Sequence, residues 1–234
     1  MAEQKERVDF DGDNAIPANE YENLAKKFIP GYDGLYSLTE VLLAETLSDE
    51  SEILVVGAGG GKELLTLGNA FPKSKLLGVD PSENMLSVAK ELVEKSALSS
   101  RVELLHGVIS DVEEKQFDAA TAILVMHFLP EDEKTEFLKA IYQRLKHSGK
   151  FILADGCFDK TSEDFDWLLK NYKKHAELKG VLPEITEQAV KTVTENVYFI
   201  SPEREVELLR EVGFTNIRSF FQGLWVRAWI AEKG

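Results

Sequence analysis

The stretch ILVVGAGGGKEL, residues 53–64, decides how this chain folds. An apolar, β-branched run from Ile53 to Val56 meets Gly57-Ala58-Gly59-Gly60-Gly61, and a helix-like segment opens at Lys62. This pattern reads as a buried strand passing through a glycine turn into a helix. Glycine tolerates positive φ and lets a ligand touch the backbone. The free N–H groups at a helix start favour a polar or anionic ligand group. A second apolar run, over 75–79, ends in Asp80, 23 residues after Gly57. An acidic side chain there is placed to accept hydrogen bonds from two ribose hydroxyls. Together these features point to a nucleoside-binding site.

The kind of nucleoside follows from spacing. A dinucleotide fingerprint reads G-x-G-x-x-G, but the sixth position from Gly57 is Lys62. The run fits G-x-G-x-G instead, through Gly57, Gly59 and Gly61. A phosphate-binding P-loop needs Ser or Thr after Gly-Lys, and here Gly61-Lys62 is followed by Glu63. A glycine cluster alone is weak evidence, since a plain structural turn is the alternative; Asp80 at the end of the next strand strengthens the ligand reading.

Composition limits the function classes. At 234 residues with 44% hydrophobic and 29% charged residues, the chain suits one α/β domain with a modest extra element. No apolar run reaches the roughly 20 residues of a membrane span. The polar start MAEQKERVDFDGDN lacks the apolar region of a secretory signal. One cysteine, Cys157, rules out an internal disulfide framework and suits a cytoplasmic location. Lys and Arg number 27 against 41 Asp and Glu, a net charge of −14, which disfavours nucleic acid and favours a small-molecule substrate.

The rest of the chain supplies a repeated rhythm. Helical periodicity starts at Tyr21, breaks at Pro30-Gly31, and resumes over 35–47. Strands are expected over 52–56, 75–79, 102–105, within 117–125, and over 150–154, with Ser148-Gly149 as a turn. Helices intervene near 62–70, after Ser82 and after Pro130. Five strand-then-helix-or-loop repeats signify a doubly wound sheet. Residues 158–192 interrupt the rhythm with charged helical sequence. A helix over 202–212 ends at Gly213, and 215–221 and 224–231, joined by Gln222-Gly223, form an antiparallel edge. The expectation is a Rossmann-like α/β fold with a mostly parallel seven-stranded sheet, an antiparallel edge and a helical cap. Residues 1–34 form the N-terminal cap segment and 35–234 the α/β domain, with its insertion at 158–192.

GAGGG after strand one, VDPSENML after strand two, FDAATAILVMHFLP and LKHSGKFIL resemble, in order and spacing, the motifs of class I S-adenosylmethionine-dependent methyltransferases. The resemblance covers about residues 35–155. It implies methyl transfer from S-adenosyl-L-methionine to a small-molecule acceptor. Gly57, Ala58 and Gly59 would lie beneath the methionine part, Asp80 would hold the ribose and Pro81 would line the site. Met85 would pack near the adenine, unless it is simply helix core. Val108 and Ile109 would border the adenine ring, and Ile123 and Leu124 the transferred group. Two family positions that often carry an acid hold Val55 and Val108 here, each losing a contact of about 1 kcal/mol. A narrower likeness, Pro30-Gly31-Tyr32 upstream of strand one, is to carboxy-S-adenosylmethionine synthases, where such a tyrosine touches the cofactor; the alternative is a turn with Tyr32 packed as core. A synthase would form a heavier, carboxylated nucleoside from cofactor and prephenate, and needs a cation for the added carboxylate; Arg204, Arg210, Arg218 and Arg227 are available. A nucleoside-binding protein without catalysis is the further alternative, and a nicotinamide oxidoreductase is disfavoured by Lys62.

Transfer from a sulfonium depends chiefly on alignment, with a base needed only if the acceptor must lose a proton. His127, just after strand four, is the candidate base, since imidazole titrates near neutrality and ligands of open α/β sheets bind at the carboxyl edge. A packing role is the alternative. Cys157 reads as a buried filler. Four scattered histidines and one cysteine give no metal-ligand spacing. Phe158, Phe165, Trp167 and Tyr172 in the insertion suit either a substrate wall or a helix interior. The aromatic last strands suit either a homodimer contact or the completion of the core.

Overall fold

Continuous apolar strands need cover on both faces, and the computed structural model, which describes residues 8–12 and 16–234, supplies it. The five expected strands are β1 (Glu52–Val56), β2 (Lys75–Asp80), β3 (Val102–His106), β4 (Phe117–Ile123) and β5 (Leu145–Gly156). They pair in parallel, and β7 (Val226–Lys233) and β6 (Phe214–Gly223) complete an antiparallel edge. The order is β3-β2-β1-β4-β5-β7-β6. The chain leaves β1 toward β2 and β3, then returns to place β4 on the other side of β1. That reversal opens the crevice where such sheets bind ligands.

Alternation along β1 divides the core. Leu54 and Val56 face a cluster with Phe137, Leu138 and Ile141 of α5 (Glu131–Gln143) and Leu208 and Leu209 of α8 (Pro202–Val212). Ile53 and Val55 face the opposite cluster, with Leu35 and Leu43 of α2 (Tyr32–Ala44) and Leu64 and Leu67 of α3 (Lys62–Ala70). Those four leucines are at most 1% exposed, each contributing about 2 kcal/mol of burial. A third cluster joins α1 (Ala18–Phe28), α6 (Phe165–Leu178) and α7 (Pro183–Glu195) to Trp225 and Leu124. It roofs the carboxyl ends of the central strands. The helix after β2 is α4 (Glu83–Lys95).

Several boundaries differ from expectation. Helix α2 starts at Tyr32 rather than 35, because the break spans only residues 29–31, from the extended Ile29 to Gly31 in the left-handed region at φ 77°. Strand β5 starts at Leu145, not 150. Its register on β4 shifts between Phe117 and Ala119, and Ser148 at φ 61° lies inside the strand, so the expected turn is a bulge. The last hairpin turns at Leu224-Trp225, since Gly223 pairs with Val226. Trp225 and Trp229 are each 4% exposed and belong to the core of this chain. In the insertion, Phe158 stacks on Phe165 and Tyr172 packs on Phe28 and Trp225, while Trp167 is exposed. The expected cap segment 1–34 lies partly outside the described residues. No helix among the described residues is long and apolar enough to cross a membrane.

Candidate active site

The glycine turn is held by the strand beside it. Gly57 and Ala58 both donate their N–H to the Val79 carbonyl, at 2.8 and 3.0 Å. Gly57 sits at φ 71°, and a Cβ there would overlap the Val125 side chain, so only glycine fits. Gly59 donates its N–H to Asp80 Oδ2 at 2.8 Å, and Ser82 donates to Oδ1 at 2.9 Å. Ser82 also caps α4, its Oγ accepting from Met85 N. Burial raises the Asp80 carboxyl above its ordinary range, against the lowering effect of these two N–H groups. Met85 Cε lies 3.3 Å from the place a Cβ on Gly59 would take. Gly57, Ala58, Gly59, Asp80 and Met85 therefore converge on one side of the crevice. Pro81 is exposed next to them, its carbonyl 2.9 Å from His106 Nε2.

Val108 and Ile109 point differently from each other. Val108 is 48% exposed and donates its N–H to Asp111 Oδ2, whereas Ile109 is buried in the cluster on the α5 and α8 face. Tyr32 is also buried, its hydroxyl 3.2 Å from that of Tyr36. Burial pushes both phenols up. Beside them is Glu63, which spacing alone did not single out. It is 4% exposed, and burial pushes its carboxyl up to about 8, with the Asp80 charge adding and Thr121 opposing. Glu63 Oε1 and Thr121 Oγ1 are buried without a hydrogen-bond partner. A glycine turn with a carboxylate fixed beside it at the carboxyl end of the sheet is an arrangement that fits a nucleoside.

The other side of the crevice comes from β4 and β5. Leu124, ending β4, takes φ 62° and donates its N–H to Ala154 at 2.6 Å. A left-handed leucine at a strand end is strain of the kind found at functional sites. The chain then makes a short 3-10 turn, Met126–Phe128. This turn delivers His127 against Asp155 of β5, with Nδ1 touching Oδ1. Gly156 N also lies 3.4 Å from Nδ1; the shorter, charge-assisted contact to the carboxylate sets the ring orientation. His127 is 9% exposed and packs on Phe128 and Phe199. Cys157 is buried, as expected of a filler, and burial pushes its thiol up.

Two further features were not read from sequence. Phe10 packs edge-on against Tyr21 of α1 and Phe128, with ring centres 5.6 and 5.2 Å apart. Asp11 next to it accepts from Ser82 Oγ at 2.7 Å and from Asn84 N at 3.0 Å, at the start of α4. This strap crosses from the Asp80 side to the His127 side. Tyr21 beneath it is pushed up to about 12 by burial and the Asp80 charge. The second feature is a set of ionisable side chains behind Asp155: Lys134 and Glu205 are, like Asp155, 0% exposed. Both were legible, because Lys134 shares an i, i+3, i+4, i+7 stripe with Phe137, Leu138 and Ile141, and Glu205 shares one with Leu208, Leu209 and Val212.

Residues 53–149 match a family model described as a methyltransferase domain. Over 99% of this chain and 97% of the relative, the sequence is 22% identical to a carboxy-S-adenosyl-L-methionine synthase of Campylobacter hominis. Among solved structures, a possible exported protein from Bordetella parapertussis superposes with a TM-score of 0.71 at 19% identity, covering 93% of this chain and 79% of that one. The magnesium protoporphyrin IX methyltransferase of Synechocystis PCC 6803, solved with bound S-adenosylmethionine, gives 0.64 at 13% identity, covering 95% and 87%. At these identities the structural likenesses establish the fold, and the sequence matches add a methyltransferase-domain likeness over 53–149. Residues 53–149 thus match a methyltransferase domain, and the chain is similar along its length to enzymes that handle S-adenosylmethionine on a Rossmann-like sheet, which supports S-adenosylmethionine as its cofactor.

Proposed function

We propose that the protein methylates a small molecule at a hydroxyl or amine that must lose its proton, with His127 as the general base. The observation that carries this reading is the contact between His127 Nδ1 and Asp155 Oδ1 at the carboxyl ends of adjacent strands. Asp155 accepts the Nδ1 proton and so leaves Nε2 as the basic nitrogen, the tautomer logic of a carboxylate-oriented histidine. Bound S-adenosylmethionine supplies a methyl group activated by its positive sulfur. Gly57, Ala58 and Gly59 would seat the amino-acid end, Asp80 the ribose and Met85 the adenine. Leu124 and Ile123 border the space between that seat and His127. His127 takes the acceptor's proton at Nε2 as the acceptor oxygen or nitrogen takes up the methyl group. The strap through Phe10 and Tyr21 keeps water from that space, which strengthens each polar contact inside it.

The relatives named carboxy-S-adenosyl-L-methionine synthase support a second reading, synthesis of that carboxylated nucleoside. Of the four candidate arginines, Arg204 is engaged by Glu131, Glu207 and Glu211, and Arg218 is exposed on the edge strand β6. Arg210 is exposed on α8, and Arg227 pairs with Asp155 in the β5–β7 register. Arg227 is thus the cation available to this reading. Mass analysis of products decides between the two. Incubation with cofactor and a panel of phenols, amines and hydroxy acids should yield S-adenosylhomocysteine and a methylated acceptor. A carboxylated nucleoside formed with prephenate would replace the first reading by the second. The same site with micromolar cofactor binding and neither product would leave a binding protein.

A further inference from the structure

Behind the histidine lies a buried set of charges that methyl transfer as described does not use. Asp155 on β5, Lys134 on α5 and Glu205 on α8 are fully buried. Lys134 Nζ donates to the Met126 carbonyl at 2.5 Å, in the same 3-10 turn that carries His127. Asp155 Oδ2 and both oxygens of Glu205 have no hydrogen-bond partner as long as both acids are ionised. Two adjacent carboxylates without a proton between them would cost several kcal/mol in such a place. A single proton on Glu205 resolves this. It makes Glu205 a donor, satisfies Asp155 Oδ2, and leaves one positive lysine against one negative aspartate.

We propose that Glu205 is a positioning residue, a protonated acid that donates to Asp155 and thereby fixes the orientation and basicity of His127. The proposal rests on the assignment of His127 as the base. Burial and the Asp155 charge raise the Glu205 carboxyl well above its ordinary range, with Lys134 opposing. Burial lowers Lys134, against the charges of Asp155, Glu205 and Glu131. The other groups facing the set are Cys157, and Arg227 of β7, which acts on Cys157. Asp155 has two oxygens and two donors, one from each side: Nδ1–H of His127 and the acid proton of Glu205. Removing the second donor concentrates charge on the oxygen that faces His127 and makes the imidazole harder to deprotonate.

The test titrates His127 by carbon-13 and nitrogen-15 NMR in the whole protein, beside the pH–rate profile of methyl transfer. Glu205→Gln replaces a neutral donor by a neutral donor, and should leave the His127 titration and the acid limb of the profile within about 0.3 pH unit of wild type. Glu205→Leu removes the donor, and should move both upward by at least one unit, a tenfold change in the neutral fraction at a fixed acidic pH. An infrared difference spectrum at neutral pH should show a protonated-carboxyl band in the wild type that is missing in Glu205→Gln. The proposal is overturned by a missing band, by a Gln variant whose His127 titration shifts, or by a Leu variant that unfolds less readily or more readily without moving it. If Glu205→Leu does not fold, the infrared band and the Gln titration decide. The NMR and infrared results do not depend on turnover. A base other than His127 would therefore appear as an unchanged rate in His127→Asn alongside an intact Glu205 coupling.

Discussion

The carboxylate of Asp80 accepts a 2.8 Å hydrogen bond from the backbone N–H of Gly59, 21 residues earlier in the chain. One bond thus locks the end of β2 to the glycine turn, and the two halves of the proposed nucleoside seat are held in a fixed relation. Its other oxygen is fixed by Ser82 N, so the carboxylate cannot rotate away.

Loss of that carboxylate should be felt in binding rather than in folding rate. Asp80→Ala leaves two N–H groups unpaired and removes the proposed ribose acceptor, at a cost of about 1.5–3 kcal/mol for a hydrogen bond to a charged group. Titration calorimetry with S-adenosylmethionine should show affinity weakened about 10- to 100-fold. An unchanged Kd would remove Asp80 from the cofactor site.

The histidine pair should behave in the opposite way. His127→Asn and Asp155→Asn are expected to lower kcat by about 10²- to 10⁴-fold, the range of general base catalysis. The Kd for S-adenosylhomocysteine should stay within about threefold of wild type, since neither residue touches the seat built by Gly57 to Gly59 and Asp80. Equal loss of binding and turnover would mean that the pair is structural.

Glu63 makes stability depend on pH. Its folded-state carboxyl is raised to about 8 from an ordinary 4.5. A raised pKa means that the folded protein holds a proton the unfolded chain releases, so the contribution is complete below 4.5 and is lost as pH climbs toward 8. Between pH 4.5 and 7 the loss from this group amounts to about 3 kcal/mol. Glu63→Gln cannot ionise, and denaturant unfolding of that variant should show a correspondingly flatter profile across this window. The same slope in both proteins would show that Glu63 is not the titrating group.

Gly57 is constrained twice, by its φ of 71° and by Val125. Gly57→Ala should destabilise the protein by about 1–2 kcal/mol from the backbone alone, and by a further 1–3 kcal/mol from crowding. Adding Val125→Ala relieves only the crowding. The double variant should therefore recover part of the loss in a denaturant melt; no recovery would place the clash elsewhere.

Much of the fold could be read from local pattern. The strand–glycine–helix unit, the alternating strands and Asp80 at the end of β2 all appear where spacing put them, and so does His127 after β4. Errors cluster where tertiary pairing overrides local signals. Ser148-Gly149 looks like a turn, yet pairing of Leu145 with Phe117 draws it into β5 as a bulge. The hairpin turn moved by two residues because Gly223 pairs with Val226. Lys134 and Glu205 pass for solvated helix residues on charge alone, although each lies on an apolar stripe.

By itself the sequence determined the sheet, its glycine turn and the acid that ends β2, because each depends on residues a few positions apart and on periods of 2 and 3.6. Tertiary structure decided the company these residues keep. His127 and Asp155 are 28 residues apart and meet only because β4 and β5 are neighbours. Glu205 reaches the same place from α8, and Phe10, far away in sequence, packs on Phe128 beside His127. Proton sharing and water exclusion depend on distances of a few ångströms between segments far apart in sequence, and only packing sets those distances.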